Sequence, residues 1–396
     1  MKRTVLCGAL AIGAAMLLGT VPSTVQAQED VKLGMITSLT GTNAVQGKDI
    51  AEGMQLALDR INEGYAVPLK GGETRQIGLG LLGRTVSVIV EDTESRPQAA
   101  MDAVRKLVNV DNVPLVLGEY SSGVSLPTGQ FTNENKVIQI SIGSTSPQLR
   151  EIGPYFFNAI GLDNIGGAEL ARLAMRDSGA TRFASIVPNN PFGVGMELSA
   201  CRTVEEMGGE CVNKVRYDLE KTDYKAELNR LFQGDPEAVF YTAYGTEARL
   251  IFRQAFELGL KPEKGWYADY MTMWSNEVRE IPEAAEGVKG WVVGVSGEFY
   301  DKEYAAPFEE KYGRASATAF GAYAYDATML AALAIEEAGS TDPDAVRQAL
   351  MDVSKTYVGV TGDKTFDDDG MQFEENYEYR VYTRAKLEPY DFAPAN

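Results

Sequence analysis

The chain has 396 residues, a formal charge of −19 at neutral pH and no histidine. That much negative charge argues against nucleic acid or an anionic lipid surface as a partner. The missing histidine excludes a Ser-His-Asp triad and histidine-ligated zinc, while 44% hydrophobic residues supply cores for two domains of ordinary size.

Residues 1–27 read as a targeting segment. Lys2 and Arg3 form a positive start, Val5–Leu18 an apolar core, and Val25-Gln26-Ala27 a small-residue cleavage site before Gln28. The core is too short for a comfortable transmembrane span, and no other run qualifies. Cys7 lies ahead of that core and follows Leu6 rather than a small residue, so it does not fit a lipid-anchored start. The mature chain is expected to be exported to a bacterial periplasm. Losing Lys2 and Arg3 moves its formal charge from −19 to −21.

From Val31 onward, strand and helix alternate. Val31–Ile36 is predicted as a strand ending in Thr37–Gly41, and residues 46–62 as a helix with Ile50, Met54, Ala57, Leu58 and Ile61 on one face. Tyr65–Gly83 is a glycine-rich insertion. Its Gly78, Gly80 and Gly83 match dinucleotide-loop spacing but precede a strand instead of following one, so a surface hairpin is expected there and no cofactor. Thr85–Val90 is the next strand. Arg96–Val108 follows as a helix with Pro97 in its first turn and Met101, Val104 and Leu107 inward.

Val113–Leu149 is the centre of the pattern. Two short apolar runs, Pro114–Leu117 and Val137–Ile142, are separated by room for one helix, which makes a right-handed parallel unit. Its loops, Gly118–Gly123 and Gly143–Pro147, emerge at the carboxyl edge of the sheet, where open α/β folds bind ligands. They carry Ser121, Ser122, Ser144, Thr145 and Ser146, donors suited to a small anion or polar molecule.

A second α/β series follows Asn158–Asp163. Helices are predicted over 164–178, 195–207, 224–232 and 247–258, with strands over 182–187, 211–217, 238–241 and 266–267. Cys201 and Cys211 flank a helix end and a strand start around Gly208-Gly209. A short-loop disulfide and a pair of buried thiols both fit that position. Beyond Trp291 come a strand, helices over 305–312, 320–337 and near 343–352, and a hairpin with its turn at Asp367–Gly370 followed by the strand Tyr377–Tyr382. The aspartate run is read as that turn, not as a calcium loop. Counting from Thr365 places Asn376 where the twelfth-position glutamate belongs, and no metal is expected.

Val31–Gly47, the Gly118–Ser122 and Ile140–Pro147 loops, Asn158–Asp163 and Tyr323-Ala-Tyr-Asp326 together resemble periplasmic solute-binding proteins of branched-chain amino-acid ABC transporters. The similarity covers nearly the whole mature chain. It implies the α/β type I periplasmic-binding-protein fold, with two Rossmann-like lobes joined by three hinge crossings near Ala159–Leu162, Trp291–Gly294 and Thr361–Gly370. On that reading residues 1–27 are the signal peptide, 28–160 plus 293–365 the first lobe, and 161–292 plus 366–396 the second. The implied protein is a mostly monomeric binder and not an enzyme. It closes on a small polar solute, most naturally an amino acid, and hands it to a membrane permease. A sensor of the same fold reporting to a receptor fits the same sequence.

Carried over residue by residue, the family's first-lobe contacts fall on Ser122, Gly143, Ser144 and Thr145. A ligand carboxylate would meet the Ser122 hydroxyl and the hydroxyl and amide of Thr145, and the Gly143 carbonyl would accept from an α-ammonium. The second-lobe positions are Phe192, Tyr244 and Asp269, with Asp269 matching the acid that pairs with the ammonium. Each has a plainer reading: Ser122 and Thr145 as loop or cap partners, Asp269 as a solvated acid, Phe192 and Tyr244 as core aromatics. Gln46 replaces an aromatic of the family, Phe192 a tyrosine, and Tyr120 and Tyr270 are bulky neighbours. These departures leave the ligand's side chain open among an amino acid, an amide or urea, and a small aromatic acid.

Overall fold

The computed structural model describes residues 1, 29–293, 296–372 and 377–392. The rest of the targeting segment with Cys7, and Asn376, lie outside the described residues. Two sheets organise the chain. The first has five parallel strands in the spatial order Val86–Asp92, Val31–Thr37, Leu115–Leu117, Ile138–Ser141, Phe156–Asn158. In chain order this is 2-1-3-4-5, so the winding reverses beside the first strand. The loops leaving Val31–Thr37 and Leu115–Leu117 therefore part to opposite faces and open a crevice at the carboxyl edge. Leu115–Leu117 and Ile138–Ser141 are buried along their whole length, which is why both read as unbroken apolar runs.

The second sheet repeats the scheme. Arg182–Pro188, Glu210–Tyr217, Ala238–Tyr241, Trp266–Ala268 and Lys289–Val293 are parallel in the same 2-1-3-4-5 order. Two antiparallel strands, Tyr377–Thr383 and Lys386–Pro389, extend it. This corrects the expected terminal hairpin. Tyr377–Thr383 pairs with Lys289–Val293 and with Lys386–Pro389, not across the aspartate turn, and the tight turn is Arg384-Ala385, at φ of 49° and 65°. Two positive φ values normally call for Asn or Gly, so nothing in the sequence marked it. Among the described residues the Asp367–Gly370 turn closes a bridge between Phe366 and Gln372, and the Asp367 carboxylate accepts from the amides of Asp369 and Met371. The glycine-rich insertion forms the antiparallel hairpin Tyr65–Pro68 and Thr74–Ile77.

Ala44–Glu63 packs on Phe320–Ala338, a helix buried all round from Phe320 to Ile335. The two backbones touch: a Cβ on Gly53 would lie 1.9 Å from the Gly321 carbonyl oxygen. Cys201 and Cys211 are joined, with Cα atoms 5.6 Å apart, tying the Pro191–Glu206 helix to the start of Glu210–Tyr217. No described helix is long and apolar enough to cross a membrane.

Two of the passages between the sheets run side by side. The Asn158 amide donates to the Gly370 carbonyl at 3.0 Å, and the Gln372 amide donates to the Asn158 carbonyl at 3.1 Å. Buried Lys364 spans both, donating to the Ala159 carbonyl and to Gln372 Oε1. Asp326, the last residue of the Tyr323–Asp326 motif, accepts from the Tyr357 hydroxyl and from the amides of Val360 and Thr361, fastening that passage to the core helix. Trp291–Val293 close the strand of the remaining passage, and Gly294 lies outside the described residues.

Candidate functional site

The carboxyl edges of the two sheets face each other, and the winding reversal in each decides which loops meet. In the first lobe Ser38, Thr93 and Glu119 lie just beyond three neighbouring strand ends. Glu119 is fully buried. Its Oε1 accepts from the hydroxyls of Ser38 at 2.8 Å and Thr93 at 2.9 Å, and its Oε2 from the Ser121 amide at 2.6 Å. Burial pushes the Glu119 carboxyl up, and these three donors pull against that shift. Its carbonyl accepts from Ser141 and Ser144, both at 3.3 Å. One residue thus ties together the loops that carry Ser122 and Thr145.

Ser122 opens the Ser122–Glu134 helix. Its hydroxyl accepts from the amides of Thr145 and Ser146, both at 3.1 Å, and keeps its own hydrogen to donate. The Thr145 amide, expected to meet a ligand, is therefore engaged by Ser122. Thr145 is 97% buried; its hydroxyl makes no well-formed hydrogen bond but lies beside the Asp163 carboxyl and the Tyr270 hydroxyl. Ser144 turns the other way, donating to Ser125 Oγ at 2.7 Å behind the loop.

Ser122, Gly143 and Thr145 form one wall of a small cavity. Tyr120 from the same lobe and Phe192, Tyr244, Tyr270 and Met271 from the second complete its lining. Gly143 allows the close approach, because a Cβ there would lie 2.9 Å from the Tyr120 ring and 3.0 Å from Phe320. Phe192 and Tyr244 leave the two strands that flank the reversal in the second sheet, with ring centroids 5.7 Å apart. Asn190 caps the helix that carries Phe192 and donates to the Tyr244 hydroxyl at 3.1 Å.

Asp269 ends Trp266–Ala268 and begins the Tyr270–Trp274 helix. Oδ1 accepts from the Thr272 amide at 3.2 Å, while Oδ2, fully buried, has no partner. Desolvation raises its carboxyl to about 7, against the Thr272 amide and the nearby Thr272 and Thr242 hydroxyls, which lower it. Its charge reaches the cavity wall, adding to the burial that raises the hydroxyls of Tyr120, Tyr244 and Tyr270. Asp163, first residue of the Asp163–Ser178 helix, is a second buried acid, and burial holds its carboxyl well up against the Thr145 hydroxyl beside it, which lowers it. The plainer reading of Asp269 as a solvated acid does not survive this burial.

The inner cavity holds about 10 Å³, roughly the space of a single water, so a solute head group fits there only once the surrounding side chains or lobes move apart. It adjoins a larger open cavity, sharing Tyr244 and Met271 with it, and Gln46 lines that outer space instead of the inner one. Sequence reasoning missed Glu119 and Asp163 as site residues. The signal for Glu119 was an acid two residues beyond a fully apolar strand, with hydroxyl residues Ser38 and Thr93 just beyond the strands Val31–Thr37 and Val86–Asp92.

Residues 30–383 match the family profile described as periplasmic binding protein. A Leu/Ile/Val-binding protein homolog 1 of Brucella suis is 26% identical over 373 residues, covering 93% of each chain. A leucine-, isoleucine-, valine-, threonine- and alanine-binding protein of Pseudomonas aeruginosa is 25% identical, covering 93% of this chain and 94% of its own. Among solved structures, a leucine-binding protein of Thermotoga maritima superposes with a TM-score of 0.79 at 25% identity, over 91% of this chain and 97% of its own.

Proposed function

The chain belongs to the periplasmic binding protein family, and from that premise we propose that it is the extracytoplasmic solute-binding component of an ABC importer, closing on a small α-amino acid. Its two doubly wound sheets are the lobes of the type I fold. We take the lobes as 28–160 plus 293–365 and 161–292 plus 366–396, behind a cleaved signal peptide at 1–27. The relatives named for leucine, isoleucine, valine, threonine and alanine support an amino acid as the solute class.

The observation that carries this reading is the Ser122 hydroxyl, with its hydrogen free to donate, beside Thr145 on the first-lobe wall of the cavity, and the buried Asp269 carboxyl directly behind Tyr270 of the second. The ligand carboxylate takes hydrogen bonds from the hydroxyls of Ser122 and Thr145, and its ammonium pairs with Asp269 and donates to the Gly143 carbonyl. Lobe closure desolvates the Asp269–ammonium pair, and a ligand that favours the closed form shifts the population toward it.

Thermal-shift screening of the twenty amino acids, simple amides, urea and aromatic acids tests the solute class. A ligand bound only by folded protein raises Tm by mass action. Asp269→Asn is expected to weaken amino-acid binding by about 2–5 kcal/mol, the usual cost of stranding one partner of a buried charge pair. An unchanged Kd by calorimetry would remove Asp269 from the site.

A further inference from the structure

The interlobe cleft is divided in two. Its inner space of about 10 Å³ and its outer space of about 280 Å³ share two lining residues, Tyr244 and Met271. With the lobes closed, a solute finds room only where a lining side chain gives way, so the side chain that can move decides what the cleft admits.

Most of the inner lining is fixed. The Ser122 hydroxyl accepts from the amides of Thr145 and Ser146, which locks the two first-lobe loops to each other. Tyr120 packs edge-on against Phe320 with ring centroids 4.9 Å apart, and a Cβ on Gly143 would lie 2.9 Å from its ring. Tyr270 stacks on Trp291 at 5.3 Å, Phe192 packs on both Tyr270 and Tyr244, and Asn190 holds the Tyr244 hydroxyl. Turning any of these rings breaks a ring contact in a close-packed interior. Met271 is different. Its side chain is unbranched, turns about three bonds and adapts to irregular spaces. Among the described residues one hydrogen bond reaches its tip, from the Tyr120 hydroxyl of the opposite lobe to Sδ at 3.0 Å.

We propose that Met271 is a specificity-determining gate. Turned away from Tyr120 it joins the inner and outer spaces, and the solute's side chain passes through the place the thioether leaves. The inference rests on the amino-acid site proposed above and names the kind of side chain that site takes. Trp274 of the second lobe and Phe320 of the first line the outer space, with centroids 6.1 Å apart, and each touches a ring of the inner lining, Trp274 on Tyr270 and Phe320 on Tyr120. Both lobes therefore wall the passage with rings. Glu247 and Glu277, which also line the outer space, accept from the Glu220 amide and the Ser275 hydroxyl on their own lobe. The passage favours a bulky apolar side chain, aryl or long alkyl, because a short one opens the gate without filling the space beyond it.

The test uses purified mature protein freed of ligand by unfolding and refolding, with carbon-13 in the methionine methyl groups. The Met271 resonance is the one lost in Met271→Leu. Calorimetry compares phenylalanine and leucine with alanine and glycine, and circular dichroism confirms that each variant is folded. Phenylalanine is expected to bind at least about tenfold more tightly than alanine and to shift the Met271 methyl resonance at saturation. Met271→Ala removes the gate and should keep or strengthen binding. Met271→Ile, stiff at its branched Cβ, holds the gate shut and should weaken binding at least about tenfold. In ligand-free Tyr120→Phe, which keeps the ring and loses the donor, the Met271 methyl carbon should move toward its rotamer-averaged shift. If Met271→Ala weakens binding and Met271→Ile does not, Met271 is ordinary packing, and the gate is overturned while the amino-acid reading stands. Alanine binding as tightly as phenylalanine overturns it in the same way. If no amino acid binds, the amino-acid reading falls by itself, and an unmoved Met271 resonance in ligand-free Tyr120→Phe then overturns the gate as well.

Discussion

Asp269 has two oxygens with different fates, one capping a helix and one buried without a well-formed hydrogen bond. Its raised carboxyl makes a pH prediction with a definite sign. An unfolded aspartate ionises near pH 4, whereas in the fold this group stays protonated to about 7. The folded state therefore holds the extra proton, and stability falls as pH rises from about 4 to about 7, then levels. Glu119 and Asp163 shift in the same direction, so the comparison must isolate one group. Asp269→Asn stays neutral and can keep the Thr272 cap, so the Tm of ligand-free wild type should drop relative to this variant across that window. Parallel Tm curves would show that the carboxyl is not desolvated. Binding a cation draws the Asp269 proton off, so affinity for an amino acid should rise as pH passes through about 7.

Among the elements, the Cys201–Cys211 closure joins a helix to the strand that follows it, across ten residues of sequence. A cross-link over so short a loop removes unfolded-state entropy worth about 2–3 kcal/mol. Reductant should lower Tm while leaving ligand affinity in place, because the bridge lies at the end of the Pro191–Glu206 helix away from Phe192. No change in Tm on reduction, with alkylation confirming free thiols, would show that the bridge contributes nothing. The elements themselves were mostly readable. Val31–Thr37, Ala44–Glu63 and Ala238–Tyr241 announce themselves by period or by continuous burial. Lys386–Pro389 and the Arg384-Ala385 turn did not, since an edge strand with charged residues and a positive-φ turn without glycine carry no local signature.

At the scale of the whole molecule, binding and closure are one equilibrium. Ligand should reduce the radius of gyration in solution scattering, and an unchanged radius at saturation would refute closure. The passages at Asn158 and at Gly370–Gln372 are laced by backbone hydrogen bonds and bridged by Lys364, so they are expected to bend as a unit. Hydrogen exchange should show the Asn158 and Gln372 amides protected alike with and without ligand, while residues 121–123 and 143–146 slow on binding. The sequence by itself determined the alternation of strands and helices, the two α/β halves, and the hydroxyl-rich loops after Leu117 and Ile142, because periodicity and loop chemistry are local properties. Only the tertiary structure decided that the Thr145 amide is taken by Ser122, that Ser144 turns inward to Ser125, that Asp269 is buried with an unmet oxygen, and that Glu119 ties three strand ends together. Those facts depend on which strand ends become neighbours and which side chains lose water, and both are set by contacts between residues far apart in the chain.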